Sequence, residues 1–121
     1  MIKFVMCITR HPDKTRAQFQ DYWLNQHAPL FKSFATEFRA KKYIQDHTLD
    51  SPLNDALRES RGMTQAYDGV AVVWFESEEE LVAAMSSPEG QKISATLLAD
   101  ENTFIDHAKS TAFLAKEEQI F

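Results

Sequence analysis

The feature that most constrains the fold is a run of bulky, mostly aromatic residues in the stretch 15–39. These side chains fall three or four positions apart, at Phe19, Tyr22, Trp23, Leu30, Phe31, Phe34 and Phe38. Residues at such spacings share one face of a helix. Thr15 is placed to cap the start, and Gln18 three residues later completes a capping box. We therefore predict an amphipathic helix that lies on a hydrophobic sheet and forms either core or the wall of a pocket.

Pro29 interrupts this predicted helix. Proline has no amide proton, and its ring collides with the carbonyl of the residue four positions earlier, here Asn25. We expect a kink or a restart of the helix near His27. The break either leaves backbone carbonyls unpaired beside a site or bends the helix around the sheet. His27 is the only residue on the aromatic face that can transfer a proton near neutral pH.

Composition limits the partners of the chain. Its 121 residues, 44% of them apolar, predict a single domain over residues 1–121 with one sizeable core. An aromatic content of 12% exceeds what a small two-layer core needs, which indicates a ligand cavity or a dimer interface. A net charge of -5 without a basic run argues against nucleic acid or an anionic membrane as partner.

The single cysteine and the absence of long apolar segments indicate in which cellular compartment the protein is found. Cys7 excludes an intramolecular disulfide and fits a reducing compartment, and we interpret it as a buried apolar residue. The amino terminus lacks the pattern of a signal peptide. No segment approaches the roughly 20 apolar residues of a membrane span. We expect a soluble cytoplasmic protein.

The remaining elements follow from alternation of apolar residues and from capping residues. Strands are predicted at 2–9, 40–48, 67–76 and 108–115. Ser77 and Ser87-Pro88 each begin a helix, with Leu81, Val82, Met85, Ile93, Leu97 and Leu98 predicted to face inward. The stretch 49–66 is an insertion, and insertions of this length between strands are often lids or pocket walls. Its short helix begins at Ser51-Pro52, runs to about Glu59 and is ended by Gly62.

This order of elements predicts an α+β, ferredoxin-like βαββαβ fold. Such a fold has a four-stranded antiparallel sheet with its helices on one face. The other face of the sheet is also apolar, and an apolar surface of that size is not normally left in water. We therefore predict a homodimer in which two copies pack sheet to sheet by two-fold symmetry.

A series of short motifs resembles the EthD family of dimeric α/β-barrel proteins. The motifs are His11-Pro12-Asp13-Lys14-Thr15, then Phe19, Tyr22-Trp23, His27-Ala28-Pro29-Leu30, Asp68-Gly69-Val70-Ala71, Trp74-Phe75 and Ser77-Glu78-Glu79-Glu80-Leu81. The resemblance covers nearly the whole chain and is concentrated in residues 10–31. It implies a dimeric α/β barrel. Similar domains include decarboxylases and dehydratases acting on aromatic polyketides, and related barrels include muconolactone isomerases, cofactor-free monooxygenases and haem enzymes.

Candidate site residues are those able to move a proton or to line an aromatic pocket. The predicted catalytic residues are His27 as general acid or base, Tyr22 to orient the substrate or stabilise an oxyanion, and His47. The predicted substrate-binding residues are Trp23, Phe31, Tyr67, Trp74 and Arg61. For His27 the alternative is a core histidine satisfied by a backbone carbonyl freed near Pro29. The sequence has no glycine-rich phosphate loop and no histidines at metal-ligand spacing, so we predict neither metal nor cofactor.

The leading functional prediction is a cofactor-independent lyase or isomerase. Its reaction would be decarboxylation, dehydration or proton transfer on a small hydrophobic aromatic or lactone-like metabolite. One alternative is a non-catalytic protein that binds a small aromatic molecule in the same pocket. Another is a haem-binding barrel with His27 as the axial ligand.

Overall fold

Four strands and five α-helices make up the chain in the computed structural model, which describes residues 1–121. The elements in chain order are β1 (Ile2–Ile8), α1 (Arg16–Tyr22), a π-helical turn (Trp23–His27), α2 (Ala28–Phe34), β2 (Lys42–His47), α3 (Leu53–Glu59), β3 (Gly69–Phe75), α4 (Glu78–Ser86), α5 (Pro88–Glu101), a 3₁₀ turn (His107–Lys109) and β4 (Thr111–Ala115). The strands form one antiparallel sheet in the order β2-β3-β1-β4. The predicted α+β, ferredoxin-like architecture is confirmed.

The helices cover one face of the sheet. Along β3, residues alternate strictly between buried and half-buried, so the two faces have different surroundings. Two clusters of buried apolar side chains fill the space between helices and sheet. One comprises Ile8, Phe19, Trp23, Ala71, Phe104 and Ile105, and the other Phe38, Val73, Phe75, Leu81, Ile93 and Leu97. Cys7 lies half-buried on the opposite face, where burial raises the pKa of its thiol.

The aromatic helix begins and breaks where the sequence predicts. The Thr15 side chain accepts a hydrogen bond from the Gln18 amide, and Gln18 Oε1 accepts one from the Thr15 amide, so the capping box is present. A π-helical turn then precedes Pro29, which lies in the first turn of α2. Within it the Ala28 amide bonds the carbonyl of Trp23, five residues earlier. The predicted restart near His27 is therefore a change of helix type.

Three side chains predicted to face the core are exposed instead: Val82, Met85 and Leu98. In α4 the buried residues are Leu81 and Ala84, which stand three positions apart on one face. Each successive residue of a helix is rotated by about 100°, so the positions next to these turn toward solvent. The same rotation exposes Leu98 beside the buried Leu97.

The last strand begins three residues later than predicted. A 3₁₀ turn occupies His107–Lys109, and β4 starts only at Thr111. Ser110 fixes the junction, because its hydroxyl accepts a hydrogen bond from the Thr9 amide and donates one to the Asp106 carbonyl. Because the backbone is in a 3₁₀ turn up to Lys109, β4 pairs with β1 only from Thr111 onward.

The insertion between β2 and β3 carries the predicted short helix, α3. The Ser51 hydroxyl accepts a hydrogen bond from the Leu53 amide at its start, and Gly62 follows its end with a φ of +67°. A positive φ is the conformation that glycine adopts without steric cost. None of the helices in the fold combines the length and the apolar character that crossing a membrane requires.

Replacing Gly69 by alanine tests the packing of the aromatic helix on the sheet. A Cβ at this position would lie 2.5 Å from Cζ3 of Trp23 and 2.9 Å from the carbonyl oxygen of Asp46. Because the indole must move, we expect Gly69→Ala to lower the free energy of unfolding by about 1–3 kcal/mol in urea denaturation and to change the near-ultraviolet circular dichroism of tryptophan.

Gly62→Ala is the matched control. No atom lies within 4 Å of the Cβ it would add, so only backbone strain at positive φ is introduced. The tryptophan spectrum should then stay unchanged. An unaltered spectrum in Gly69→Ala as well would show that the indole does not depend on this glycine.

Candidate functional site

Three side chains form a hydrogen-bonded chain around the predicted histidine. Nδ1 of His27 lies 2.7 Å from Oδ2 of Asp100, and the Tyr22 hydroxyl donates to Oδ1 of Asp100 at 2.5 Å. An ionised carboxylate only accepts hydrogen bonds, so Nδ1 of the neutral imidazole carries the proton. Nε2 then holds the lone pair, and no group of the protein is hydrogen-bonded to it. His27 is 5% exposed, so the imidazole is buried, whereas Tyr22 and Asp100 are partly exposed.

The π-helical turn brings the imidazole into line with the other inward-facing side chains. Phe19, Trp23, His27 and Phe31 follow one another at steps of four. Four residues of an ordinary α-helix overshoot one turn by about 40°, so such a series drifts around the helix. A wider π turn between Trp23 and His27 reduces this drift. The imidazole consequently faces the sheet instead of the side of the helix.

Phe104 covers the histidine of this pair, whereas the Asp100 side chain remains 18% exposed. Phe104 is 0% exposed, and its ring centroid lies 5.0 Å from that of His27 and 5.1 Å from that of Tyr22. Electrostatic interactions are stronger where water is excluded. The aromatic ring therefore both packs against the pair and strengthens it.

A cavity of about 50 Å³ lies between the helices and the sheet beside His27. It is lined by His27, Tyr43 and Glu101 and by the apolar side chains of Phe4, Met6, Ile8, Trp23, Phe31, Ala71, Val73 and Ile105. A water molecule in the liquid occupies about 30 Å³, so the space holds one or two waters or a small organic group. It offers an apolar surface with three polar groups.

Tyr43 reaches this cavity from β2 and is held by two donors. The indole Nε1 of Trp23 donates to the Tyr43 hydroxyl oxygen at 3.1 Å, and Nε2 of Gln45 donates to it at 2.9 Å. The Gln45 amide also donates to the Trp23 carbonyl at 3.0 Å. Burial raises the pKa of the Tyr43 phenol, so it remains protonated at neutral pH.

Glu101, at the end of α5, is the third polar group of the cavity. Its Oε1 lies 3.0 Å from Nε2 of His107, which is partly exposed. The carboxylate therefore connects the cavity wall with a titratable group at the surface. Outside these pairs, no cluster of three or more His, Cys, Asp or Glu side chains is arranged to hold a metal ion.

Three residues predicted from the sequence line the cavity: His27, Trp23 and Phe31. Tyr22 does not line it. Its hydroxyl donates to Asp100, which places it to position that carboxylate. The hydrogen bond to Asp100 also raises the pKa of the Tyr22 phenol.

His47 is on the helix-facing side of β2 but outside the cavity. Its ring stacks on Trp23 with centroids 4.6 Å apart, and its Nε2 lies 2.8 Å from Oε1 of Gln45. Burial lowers the pKa of its imidazole. The structure therefore does not bring His47 and His27 together at one substrate.

The other predicted binding residues are elsewhere in the fold. Trp74 lies on the opposite face of the sheet, with the ammonium groups of Lys3 and Lys42 4.9 Å and 4.7 Å from its ring centroid. The alternation of side chains along β3 places it there. Tyr67 contributes its carbonyl to the Thr48 hydroxyl, and Arg61 is exposed after α3. Neither lines the cavity, and no residue of the insertion does.

Sequence reasoning missed Asp100, Glu101 and Tyr43. Asp100 follows Ile93 by seven positions and Leu97 by three, which places its carboxylate on the buried face of α5. An acidic residue on an otherwise apolar helix face needs a partner, so the spacing was a usable indication.

A family model identifies the family of the chain, and solved structures agree on its fold. The sequence matches the model of the EthD domain over residues 11–108. An EthD family protein from Bacillus halodurans C-125 is similar with a TM-score of 0.63 and 19% identity, covering 98% of this chain and 99% of that chain. A mutant of SnoaB, a cofactor-independent oxygenase from Streptomyces nogalater, is similar with a TM-score of 0.57 and 16% identity. The match covers 98% of this chain and 93% of that chain. A dimeric protein of unknown function and ferredoxin-like fold from Bacteroides fragilis is similar with a TM-score of 0.61 and 6% identity. The match covers 96% of this chain and 95% of that chain. No protein of curated function matches the sequence.

The hydrogen bond between Tyr22 and Asp100 can be tested by titrating the tyrosines. Because this bond raises the pKa of Tyr22, the phenol should lose its proton above the ordinary value of about 10. We expect Asp100→Asn to lower the Tyr22 pKa, measured by NMR of ¹³Cζ-labelled tyrosine. A raised pKa in the folded state stabilises the protein below the unfolded pKa, and this contribution is lost as the pH rises through the folded value. Tyr43 serves as the internal control, and an unshifted Tyr22 in the variant would disprove the interaction.

Proposed function

Because the chain belongs to the EthD family, and because a carboxylate-bound histidine faces an apolar cavity, we propose that it is a cofactor-independent lyase or isomerase. The observation that carries this proposal is the hydrogen bond between Nδ1 of His27 and Asp100. It leaves Nε2 without a partner in the protein, on a side chain that lines the cavity.

In the proposed reaction, Nε2 of His27 removes a proton from an activated carbon of the substrate. The C–H bond breaks, its electron pair moves into the adjoining unsaturated group, and the proton forms an N–H bond on the imidazole. Asp100 stabilises the resulting imidazolium, and Tyr22 holds Asp100 in place. Returning the proton to a different carbon completes an isomerisation. Departure of a leaving group from the neighbouring carbon completes an elimination.

The shape of the cavity supports a small hydrophobic substrate, or the reacting end of an aromatic or lactone-like one. Phe31 and Tyr43 line both the cavity and a depression of about 310 Å³ on the surface, and their ring centroids are 4.8 Å apart. These two rings are therefore the partition between inside and outside. We propose that the reacting carbon lies against His27 while the rest of the molecule extends past Phe31.

The two alternatives differ in how well the cavity supports them. A non-catalytic binding protein would use the same apolar walls and would not need the orientation that Asp100 imposes on His27. Haem binding does not fit, because the space of about 50 Å³ beside Nε2 is far too small for a porphyrin.

We also propose that the chain forms a homodimer through the uncovered face of the sheet. Register places four apolar side chains in one row across that face, in the order Ile44, Val72, Val5 and Phe113. Phe113 is 50% exposed and Ile44 is 39% exposed in the single chain. A continuous apolar row of this kind favours burial against a second copy.

Proton transfer by His27 can be measured without knowing the natural substrate. In D₂O, the protein should accelerate exchange of the α-hydrogens of cyclopentanone and 2-indanone, followed by ¹H NMR. His27→Gln should return exchange to the buffer rate, a loss on the order of 10²–10⁴-fold, because general-base catalysis contributes about that factor. Asp100→Asn should also lower the rate, because the imidazole loses the partner that fixes its tautomer.

His11→Gln is the matched control for this experiment. His11 lies in the loop before α1, where it contacts Asp13, and it should not change the exchange rate. A protein that binds 2-indanone equally well with and without the His27 imidazole, yet never accelerates exchange, would be the binding protein of the first alternative.

The dimer can be tested by placing a charge in the apolar row. We expect Val72→Asp to convert the protein to monomers in analytical ultracentrifugation, because the buried carboxylate would have no partner. Val82→Asp makes the same substitution on the outer side of α4, where the valine is 60% exposed, and should leave the mass unchanged. If both variants sediment like the unmodified chain, the sheet face is not the interface.

A further inference from the structure

We propose that the phenolic O–H of Tyr43 donates a hydrogen bond to the oxygen on which negative charge develops during the His27 reaction. The substrates are then carbonyl compounds with an acidic C–H next to the carbonyl group. This inference rests on the proposed function, which it deepens by naming the substrate class and a second catalytic residue.

The hydrogen bonds around Tyr43 determine where its proton can point. A phenol oxygen accepts at most two hydrogen bonds and donates one. Both acceptor positions of Tyr43 are occupied, by Nε1 of Trp23 at 3.1 Å and by Nε2 of Gln45 at 2.9 Å. The O–H must therefore point away from both donors, and no protein group accepts it. Tyr43 lines two surface depressions as well as the cavity, and the cavity is the one of these spaces that it shares with His27, so we infer that the O–H points there during the reaction.

The orientation of the Gln45 amide is fixed by its other contacts. Its nitrogen also donates to the Trp23 carbonyl, and its oxygen lies 2.8 Å from Nε2 of His47. A flipped amide would place an oxygen against the Trp23 carbonyl, which is repulsive. Gln45 therefore acts as a donor to Tyr43, and His47 in turn donates to Gln45. His47 thus contributes to the site by positioning Gln45.

Glu101 is the only carboxylate lining the cavity, so it is the one group there that could compete for the phenolic proton. Its Oε1 is bound instead to Nε2 of His107, and it makes no hydrogen bond with Tyr43. Burial and the nearby charge of Glu101 both raise the pKa of the phenol. Tyr43 consequently enters the reaction as a neutral donor.

His27 and Tyr43 then act on the same part of the substrate, His27 at the α-carbon and Tyr43 at the carbonyl oxygen. Nε2 of His27 takes the α-proton, the electrons of the broken C–H bond form the carbon–carbon double bond of an enolate, and the carbonyl π electrons move onto oxygen. Tyr43 stabilises that oxygen by a hydrogen bond that strengthens as charge accumulates. The imidazolium returns its proton to carbon, so no oxidant or reductant is consumed.

Two probes of matched ring size separate this role from a structural one. Cyclopentanone carries an oxygen that Tyr43 can contact, whereas cyclopentadiene is a C–H acid without oxygen. We expect Tyr43→Phe to lower exchange of cyclopentanone in D₂O by roughly 10²–10³-fold, the usual effect of losing one such donor. Exchange of cyclopentadiene should stay within about two-fold of the unmodified protein. Tyr67→Phe, outside the cavity, is the control and should affect neither probe.

The outcomes distinguish failure of this inference from failure of the proposed function. If His27→Gln abolishes exchange of both probes while Tyr43→Phe affects both equally or neither, the donor role of Tyr43 is overturned and His27 remains the base. If the unmodified protein exchanges neither probe, the proposed function fails. The carbonyl resonance of [1-¹³C]cyclopentanone then decides the donor role. A downfield shift with the unmodified protein that Tyr43→Phe removes supports it, and an identical resonance overturns it.

Discussion

The contact of Trp23 with the backbone of Gly69 is the constraint on which the site depends. Because Gly69 has no side chain, the indole lies directly on the start of β3, where it is 1% exposed. The indole N–H of Trp23 donates to the Tyr43 hydroxyl oxygen. The Trp23 carbonyl accepts hydrogen bonds from the Ala28 amide and the Gln45 side chain. One side chain thus anchors the π-helical turn to the sheet, and the turn orients the residues on either side of it.

Two arrangements in the fold hold a buried ionisable side chain against partners of opposite charge or hydrogen-bonding capacity. Asp68, whose side chain is 4% exposed, accepts hydrogen bonds from the side chains of Arg10 and Arg16 and from the Arg10 amide. These contacts tie the loop before α1 to the start of β3. His27 and Asp100 form the second such arrangement, at the other end of the aromatic helix. Removing one member of a buried pair leaves an uncompensated charge, so both arrangements hold the helix in position as well as serving any chemistry.

The sequence predicted the fold well because the deciding information was local. Alternation of apolar residues located the strands, and the capping residues Thr15, Ser77 and Ser87 located helix starts that the structure confirms. The break at Pro29 was predictable from backbone chemistry alone. Its form was not, since the π turn brings the Trp23 carbonyl to Gln45, a residue of β2 whose contact depends on the tertiary fold.

The candidate site was harder to predict because its members come from distant parts of the chain. His27 stood out as the one titratable group on an aromatic face, but Asp100 is 73 residues away and meets it only through the packing of α5. The contact of the Tyr22 hydroxyl with that carboxylate was hidden for the same reason. Trp74 was misplaced because both faces of β3 are apolar, so composition could not identify the side facing the helices.

The π-helical turn has a consequence for variation in chain length. A turn closed between residues five apart holds one residue more than an α-helical turn, so deleting a single residue between Trp23 and His27 would restore a regular helix without breaking the chain's path. The imidazole would then be carried around the axis, away from Asp100. Among relatives of this chain, the number of residues in this short segment is therefore a better marker of a retained site than the histidine itself.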